Sequence, residues 1–262
     1  MKTLKFFLFT VLVLSMVMAC SDFVTPQQTN DNTIVFPNSS WSILRYGVFL
    51  EPWVSTQYIH FDGDSTVAYK EYQKVFSCDD ELHENIKYEG LIREQDQKTY
   101  FIRENSETEY ILYDFSLEEG TNFEYLEPRV QIPGYENPPI ILYVKKVDFV
   151  EINGIQKKRI QFTSPPDDDT VNAIWIEGIG SFNGLFYPCG GMHGPNNIIE
   201  TLLCHFQDNE LVYKNPAWSK CYFDKVDDII FDNGIHENLT DITSGGIHNN
   251  KHFNRISQII KK

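Results

Sequence analysis

Positive charge is what this chain is shortest of. Lys and Arg number 22 against 37 Asp and Glu, for a formal charge of −15 at neutral pH. A surface of that sign repels phosphate backbones and anionic headgroups, so nucleic acid is not an expected partner. Long apolar runs are also missing. Beyond the first eighteen residues no stretch approaches the ~18 consecutive apolar residues that a membrane-spanning helix needs. Ala is scarce, whereas Tyr and Phe number 14 and 19, a balance that suits strands better than helices. No repeat of fixed period and no long amphipathic helical pattern runs through the chain. There is no G-x-S-x-G elbow, no H-E-x-x-H and no P-loop. These absences leave no recognisable catalytic signature, and the hydrophobic share of 42% is that of an ordinary folded domain.

What is present begins with the leader. Lys2 and Lys5 form a short basic head, and Phe6 to Met18 is apolar except for Thr10 and Ser15. A run of that length after a basic head is an export signal, too short and wrongly flanked for a transmembrane helix. The segment Val17-Met18-Ala19-Cys20 resembles the lipobox of bacterial lipoproteins. That resemblance implies cleavage before Cys20 (signal peptide 1–19), a diacylglyceryl group on its sulfur and acylation of the new amine. Acyl chains contribute about 0.8 kcal/mol per buried CH₂, and stable anchoring takes more than one chain. The membrane is therefore the expected partner through lipidated Cys20, at the cell envelope and at the outer rather than the inner membrane. Residues 20–40 are polar with two prolines and read as a flexible tether. The folded part is expected from Trp41.

From there short apolar segments alternate with turn residues. Gln57 to Phe61 leads into Asp62-Gly63-Asp64, and Val67 to Phe76 returns; Asp-Gly between apolar runs predicts a hairpin. Tyr88–Glu94 pairs with Thr99–Arg103 across a polar turn, and Glu109–Phe115 follows. Ile140–Ile152 and Ile155–Phe162 flank Asn153-Gly154, the best hairpin signal in the chain. Ala173–Glu177 is a further strand. Thr201–Phe206 and Glu210–Lys214 form a last hairpin. Cys189 to Asn197, with three Gly and Pro195, reads as loop. The expectation is all-β: one antiparallel barrel- or sandwich-like domain over residues 41–225, with a loosely ordered tail over 226–262.

Five stretches carry a resemblance: FDGDSTVAYKEYQKVF, YEGLIREQDQKTYFI, EYILYDFSLEEG, WIEGIGSFNGLFYP and LLCHFQDNELVYKNPAWSKCYF. Through them residues 58–223 resemble a group of exported proteins common in Bacteroidota. The WIEGIGSFNGL and LLC…VYKNP…C motifs mark a lineage and imply no catalytic residue. Members of that group often continue into a C-terminal sorting domain. No recognisable version stands in this sequence, which favours the lipid route implied by Cys20.

Other candidates rest on residue type and spacing. An even set of cysteines in an exported chain points to disulfides, and Cys78, Cys189, Cys204 and Cys221 allow three pairings. The hairpin between Cys204 and Cys221 favours that pair, which leaves Cys78 with Cys189. Cys189, His193, Cys204 and His205 have zinc-binding chemistry but irregular spacing, and adjacent Cys204 and His205 point to opposite faces of a strand. Gly178, Gly180 and Gly184 give G-x-G-x-x-x-G, one residue too long for a dinucleotide fingerprint and followed by Pro188 instead of a helix. Asp62-Gly63-Asp64 lacks the Gly and Glu of a calcium loop at its sixth and twelfth places, and Asp167, Asp168 and Asp169 read as a solvated acidic loop. Glu177 and Asp114 sit at strand ends, where a glycosidase would need paired carboxylates. Asp64-Ser65-Thr66 and Asp169-Thr170-Val171 resemble the short O-glycosylation sequence used by Bacteroidota. No cofactor and no metal site is expected. The function this supports is a non-enzymatic binding or scaffolding module at the envelope, for a protein or glycan partner. The alternative is an exported hydrolase acting on glycan or peptide.

Protein isolated from its native host should carry added lipid mass and partition into detergent. Cys20→Ala should release it as a soluble or unprocessed form. Intact protein of unlipidated mass would refute the anchor.

Overall fold

Two-residue turns set most of the strand register. In the computed structural model, which describes residues 32–47, 53–126, 139–166, 171–190, 192–193 and 198–228, four turn pairs hold both residues at positive φ. They are Ala68-Tyr69, Asp96-Gln97, Asn153-Gly154 and Asp208-Asn209. Positive φ at both positions matches the right-handed twist of the strands they join. They close the hairpins β2–β3 (Trp53–Val67, Lys70–Cys78), β4–β5 (Lys87–Gln95, Lys98–Arg103), β8–β9 (Ile140–Ile152, Ile155–Thr163) and β13–β14 (Ile198–Gln207, Glu210–Lys214).

The remaining strands are β1 (Ser39–Gly47), β6 (Glu109–Asp114), β7 (Asn122–Tyr125), β10 (Ala173–Ile176), β11 (Gly180–Ser181) and β12 (Met192–His193). The larger sheet runs β12-β13-β1-β2-β3-β4-β5-β6, with β14 also on β13, and the smaller runs β11-β10-β9-β8-β7. Every pairing is antiparallel. Both sheets curl as half-barrels around one core, so the all-β antiparallel class holds.

Several expectations change. Asp62-Gly63 is not the turn of the first hairpin. β2 continues through it to Val67 with a register shift between Phe61 and Asp64; Gly63, at φ 77°, forms a bulge that bends the strand without ending it. The turn falls on Ala68-Tyr69, two residue types with no turn signal of their own. β1 carries no alternation that marks it, and β7 alternates (Asn122 and Glu124 exposed, Phe123 and Tyr125 buried) but over only four residues. β1 is buried along most of its length because it lies between β13 and β2 and is covered on both faces. Part of the expected loop 189–197 is the short strand β12, paired with β13.

Packing also begins before Trp41. Ile34 is fully buried in the main core. The Glu94 carboxylate holds its segment, accepting from Thr33 Oγ1 (2.6 Å), Ile34 N (2.8 Å) and Val35 N (3.1 Å). Residues 33–40 thus belong to the domain and not to a tether, because burying an aliphatic side chain of this size contributes about 1.5–3 kcal/mol.

The core between the sheets gathers Trp41, Ile43, Phe61 and Phe101 from the larger sheet with Phe123, Leu142, Phe162 and Trp175 from the smaller. The glycine-punctuated segment 178–188 runs inside it: Ile179, Phe182, Leu185 and Phe186 are all buried. Its irregular backbone is satisfied by aromatic donors. Trp41 Nε1 donates to Ile179 O (2.8 Å), Trp175 Nε1 to Pro188 O (2.6 Å) and Tyr125 Oη to Phe186 O (3.1 Å). Tyr113 Oη donates to Leu185 O (2.7 Å) and accepts from Ser181 N (3.2 Å).

A second cluster lies on the outer face of the larger sheet, where Trp218 and Phe223 cover Leu44, Leu203 and Cys204. The strap that carries them is tied down twice. Phe223 N and O both bond Thr56 Oγ1 (2.8 Å each), and Cys204 is disulfide-bonded to Cys221 with Cα atoms 5.5 Å apart. The complementary expectation, Cys78 to Cys189, is corrected. The two are not bonded to each other: Cys78 ends β3 under the loop that follows it, and Cys189 lies beyond β11 in the buried segment.

Closing a loop of 17 residues is worth roughly 3 kcal/mol in the chain-entropy model. The Cys204→Ser/Cys221→Ser double variant should therefore unfold at lower denaturant by about that free energy. Unchanged chemical denaturation would refute a stabilising strap.

Candidate functional site

The strands of the larger sheet open at one end into a polar cavity of about 480 Å³. Arg45, Gln57, Ser77, Lys87, Glu89 and Arg103 reach it from β1 to β5, and Asp79, Asp80 and Asn85 close it from the β3–β4 loop. None of these lining residues is aromatic. Chain entry, at Ile34 beside Glu94, is at the opposite end of the same strands.

A bulge places the central carboxylate. Val75 pairs with Gly90 and Phe76 with Tyr88, so Glu89 is the extra residue of β4 and turns into the cavity wall. Gly90 permits this: its φ is +147°, and a Cβ there would lie 2.1 Å from Ile102 O. Glu89 is buried and accepts from Ser77 Oγ (2.7 Å) and from Lys87 Nζ (3.0 Å to each oxygen). Arg45 lies between two carboxylates. Its Nη1 is 3.4 Å from Asp79 Oδ1, and its Nε is 3.3 Å from Glu200 Oε1. Asp80 is used by its own loop, accepting from Glu84 N (2.8 Å) and Asn85 N (3.0 Å); these backbone donors hold its carboxyl below the usual range. Gln57 is 7% exposed, and its Oε1 is buried without a hydrogen-bond partner.

Cys78 also borders the cavity. Burial, with the Asp80 charge adding to it, pushes its thiol pKa up, so it stays protonated at neutral pH and is a poor nucleophile.

The other predicted residues lie elsewhere and do not converge. Asp114 is in an ion pair with Lys98 (3.0 Å) and accepts from Ser116 N (2.9 Å), and Glu177 lies next to the Lys158 amide (3.4 Å). Asp114 caps the turn after β6. Cys204 lies in the outer cluster, whereas His205 stacks on core Trp41 with centroids 4.6 Å apart. Strand alternation separates them, as expected. Among the described residues no group of three or more His, Cys, Asp and Glu could hold a metal ion. The side chain of His193, and Asp167, Asp168, Asp169 and Thr170, lie outside the described residues, as does Cys20.

Aromatic side chains do cluster on the outer face of the larger sheet. His60, Phe76 and Tyr88 lie directly across from one another on β2, β3 and β4, with centroids 5.7 and 5.4 Å apart, and His83 stacks on Tyr58 at 4.1 Å. Spacings this short between paired strands set neighbouring rings against each other and not edge to edge in one plane. The group therefore offers no flat platform for a sugar. Beyond it, Glu109 receives Arg93 (2.7 and 2.9 Å), Tyr72 (2.6 Å) and Lys70 (2.9 Å). The Arg93 hydrogen bonds, foremost, pull its carboxyl down to about 2. That network, closed among its own side chains, reads as structural.

Sequence reasoning missed Arg45, Gln57, Ser77, Glu89 and Arg103. The available signal was a polar residue at an inward position of an otherwise apolar strand, as at Arg45 in SILRYG. Compared with family models, curated proteins and solved structures, the chain matches none.

His205 generates a pH prediction. Burial lowers its pKa from 6.5 to about 4, and its Nδ1 lies 3.1 Å from Ser40 O. The unfolded chain then binds more protons than the folded one between those values. Its contribution is complete above pH 6.5 and declines as pH falls toward 4, by up to about 3 kcal/mol at 1.36 kcal/mol per unit. Melting curves from pH 7 to 4 should fall more steeply for the wild type than for His205→Phe. Parallel slopes would refute a buried neutral imidazole.

Proposed function

We propose that this protein is a lipid-anchored, non-enzymatic module of the cell envelope that binds a small polar ligand in the cavity at the Arg45 end of its larger sheet. The observation that carries the proposal is Gln57. A buried amide oxygen without a donor costs roughly 1–3 kcal/mol, and it adjoins a cavity of a size typical for small-ligand sites (~300–1,000 Å³). A ligand N–H or O–H would satisfy it. The carboxylates beside it are all engaged: Glu89 by Ser77 and Lys87, Asp80 by backbone amides, Asp79 by Arg45. No acid and base are held apart for proton transfer, which catalysis by paired carboxylates would require.

Anchoring through Cys20 rests on the leader sequence. Among the described residues no helix is long and apolar enough to cross a membrane. The chain enters the domain at the Glu94 end, which keeps the cavity mouth clear of the entry point.

The alternative, an exported hydrolase, draws on one contact, Ser77 Oγ to Glu89 Oε1 at 2.7 Å. Ligand-observed NMR of the protein against mixtures of peptides, saccharides and organic acids distinguishes the two. Binders should appear, lose their signal change in Gln57→Leu, and remain chemically intact. Turnover of a binder, abolished by Ser77→Ala, would establish the hydrolase. An empty screen would refute the cavity as a binding site.

A further inference from the structure

We infer that the domain sits against the bilayer through the Glu94 end of its strands, with Tyr69 of the β2–β3 turn and Phe149 of β8 among the lipid headgroups; this rests on the chain being anchored through Cys20.

Tyr69 contributes little to the fold. Its side chain is fully exposed (102%), and Val67 beside it is 39% exposed. Ala68 and Tyr69 hold φ at 48° and 65°, a region where Asn or Gly is at ease and most other side chains are strained. The other three two-residue turns place Asp, Asn, Gln or Gly there. A turn that holds an aromatic ring on strained backbone, with none of that ring covered, presents it to something outside the molecule.

This turn stands at the end where the chain enters the domain. β3 and β4 pair Val75 with Gly90, Lys74 with Leu91 and Gln73 with Ile92. The same register puts Glu94 level with Glu71, two residues from Tyr69. Glu94 is the residue that holds Thr33, Ile34 and Val35. Cys20 stands 13 residues before Thr33, a length of at most about 45 Å. Acyl chains on Cys20 thus keep the entry end within reach of the bilayer. Even a weak contact there is favoured by its high effective concentration.

Phe149 brings the smaller sheet to the same end. It is 66% exposed and pairs with Lys158 across the β8–β9 hairpin. Lys158 Nζ donates to Phe115 O (2.6 Å), and Phe115 N donates to Gln97 O (2.8 Å) in the turn that follows Glu94.

Charge and side-chain chemistry select the partner. At a formal charge of −15 the chain is not drawn to anionic lipid, so the contact is apolar and aromatic. Tyr suits such a position, because its ring takes the apolar side of a lipid interface and its hydroxyl the wet side.

The test uses the lipidated mature chain in phosphatidylcholine vesicles whose acyl chains carry bromine, a quencher of indole emission. Tyr69→Trp and, separately, Leu82→Trp add one reporter at either end of the strands; Leu82, 77% exposed, is on the β3–β4 loop at the cavity end. The emission added by Tyr69→Trp should fall at least twofold relative to unbrominated vesicles, and that added by Leu82→Trp should not change. In the wild type, amide exchange over Val67–Lys70 should slow at least twofold on vesicles relative to the Cys20→Ala chain in solution. Anionic phosphatidylglycerol in the vesicles should weaken both effects. Suppose the protein floats with the vesicles. Then absent quenching of Tyr69→Trp, equal quenching of both variants, unchanged exchange, or effects that grow with phosphatidylglycerol would each overturn the inference and leave the anchor standing. Protein that carries no lipid and stays in solution would overturn the anchor, and the inference with it.

Discussion

The fold depends on keeping an irregular segment buried. Residues 178–188 run through the space between the two sheets, and apart from the short β11 pairing and the bonds of Phe182 to its neighbours a buried loop carries backbone groups that sheet ladders leave unmet. Each unmet group would cost a few kcal/mol. Four aromatic residues from four different strands prevent this: Trp41, Tyr113, Tyr125 and Trp175 point their N–H or O–H groups at its carbonyls. These residues fill the core and satisfy the loop at once. The glycines serve the same end. Gly180 and Gly184 hold φ near +97° and +98°, and Ile43 and Tyr113 lie close enough that side chains there would press on the core. The glycine pattern is therefore a packing device and not a phosphate cradle.

This segment fills the middle of the half-barrels, and the two ends differ. One end is stopped by Ile34, drawn in and held by Glu94. The other is left polar, and the cavity forms there. The contrast between the ends is chemical. Glu94 meets two backbone amides and a hydroxyl and spends its hydrogen-bonding capacity on the chain itself. At the other end Arg45 is shared between Asp79 and Glu200, and Gln57 keeps an acceptor in reserve.

The outer face shows how the larger sheet tolerates being one-sided. Near β13 it is sealed by the strap carrying Trp218 and Phe223, fastened by Cys204–Cys221. Further along, among the described residues, stacked rings and the Arg93–Glu109 pair cover it. Burial on both faces explains why β1 lacks alternation, since a strand covered on both sides reads as apolar or small throughout.

Local chemistry was legible in the sequence wherever a signal acts within a few residues. Asn153-Gly154 predicted its hairpin because both residues accept positive φ, the alternating aromatic and β-branched runs predicted an all-β fold, and the hairpin between Cys204 and Cys221 favoured their bond among the three pairings. The leader, too, is a local signal, and the proposed anchor rests on it alone. Tertiary structure decided what depends on distant partners. It moved the first turn from Asp62-Gly63 to Ala68-Tyr69, because pairing with β3 carries β2 past the bulge. It brought Thr33–Val35 to Glu94, some sixty residues away. It assembled Arg45, Gln57, Ser77, Glu89 and Arg103 at one end of five neighbouring strands. No spacing rule reaches such a set, since each strand contributes one or two residues and only the register between strands makes them neighbours.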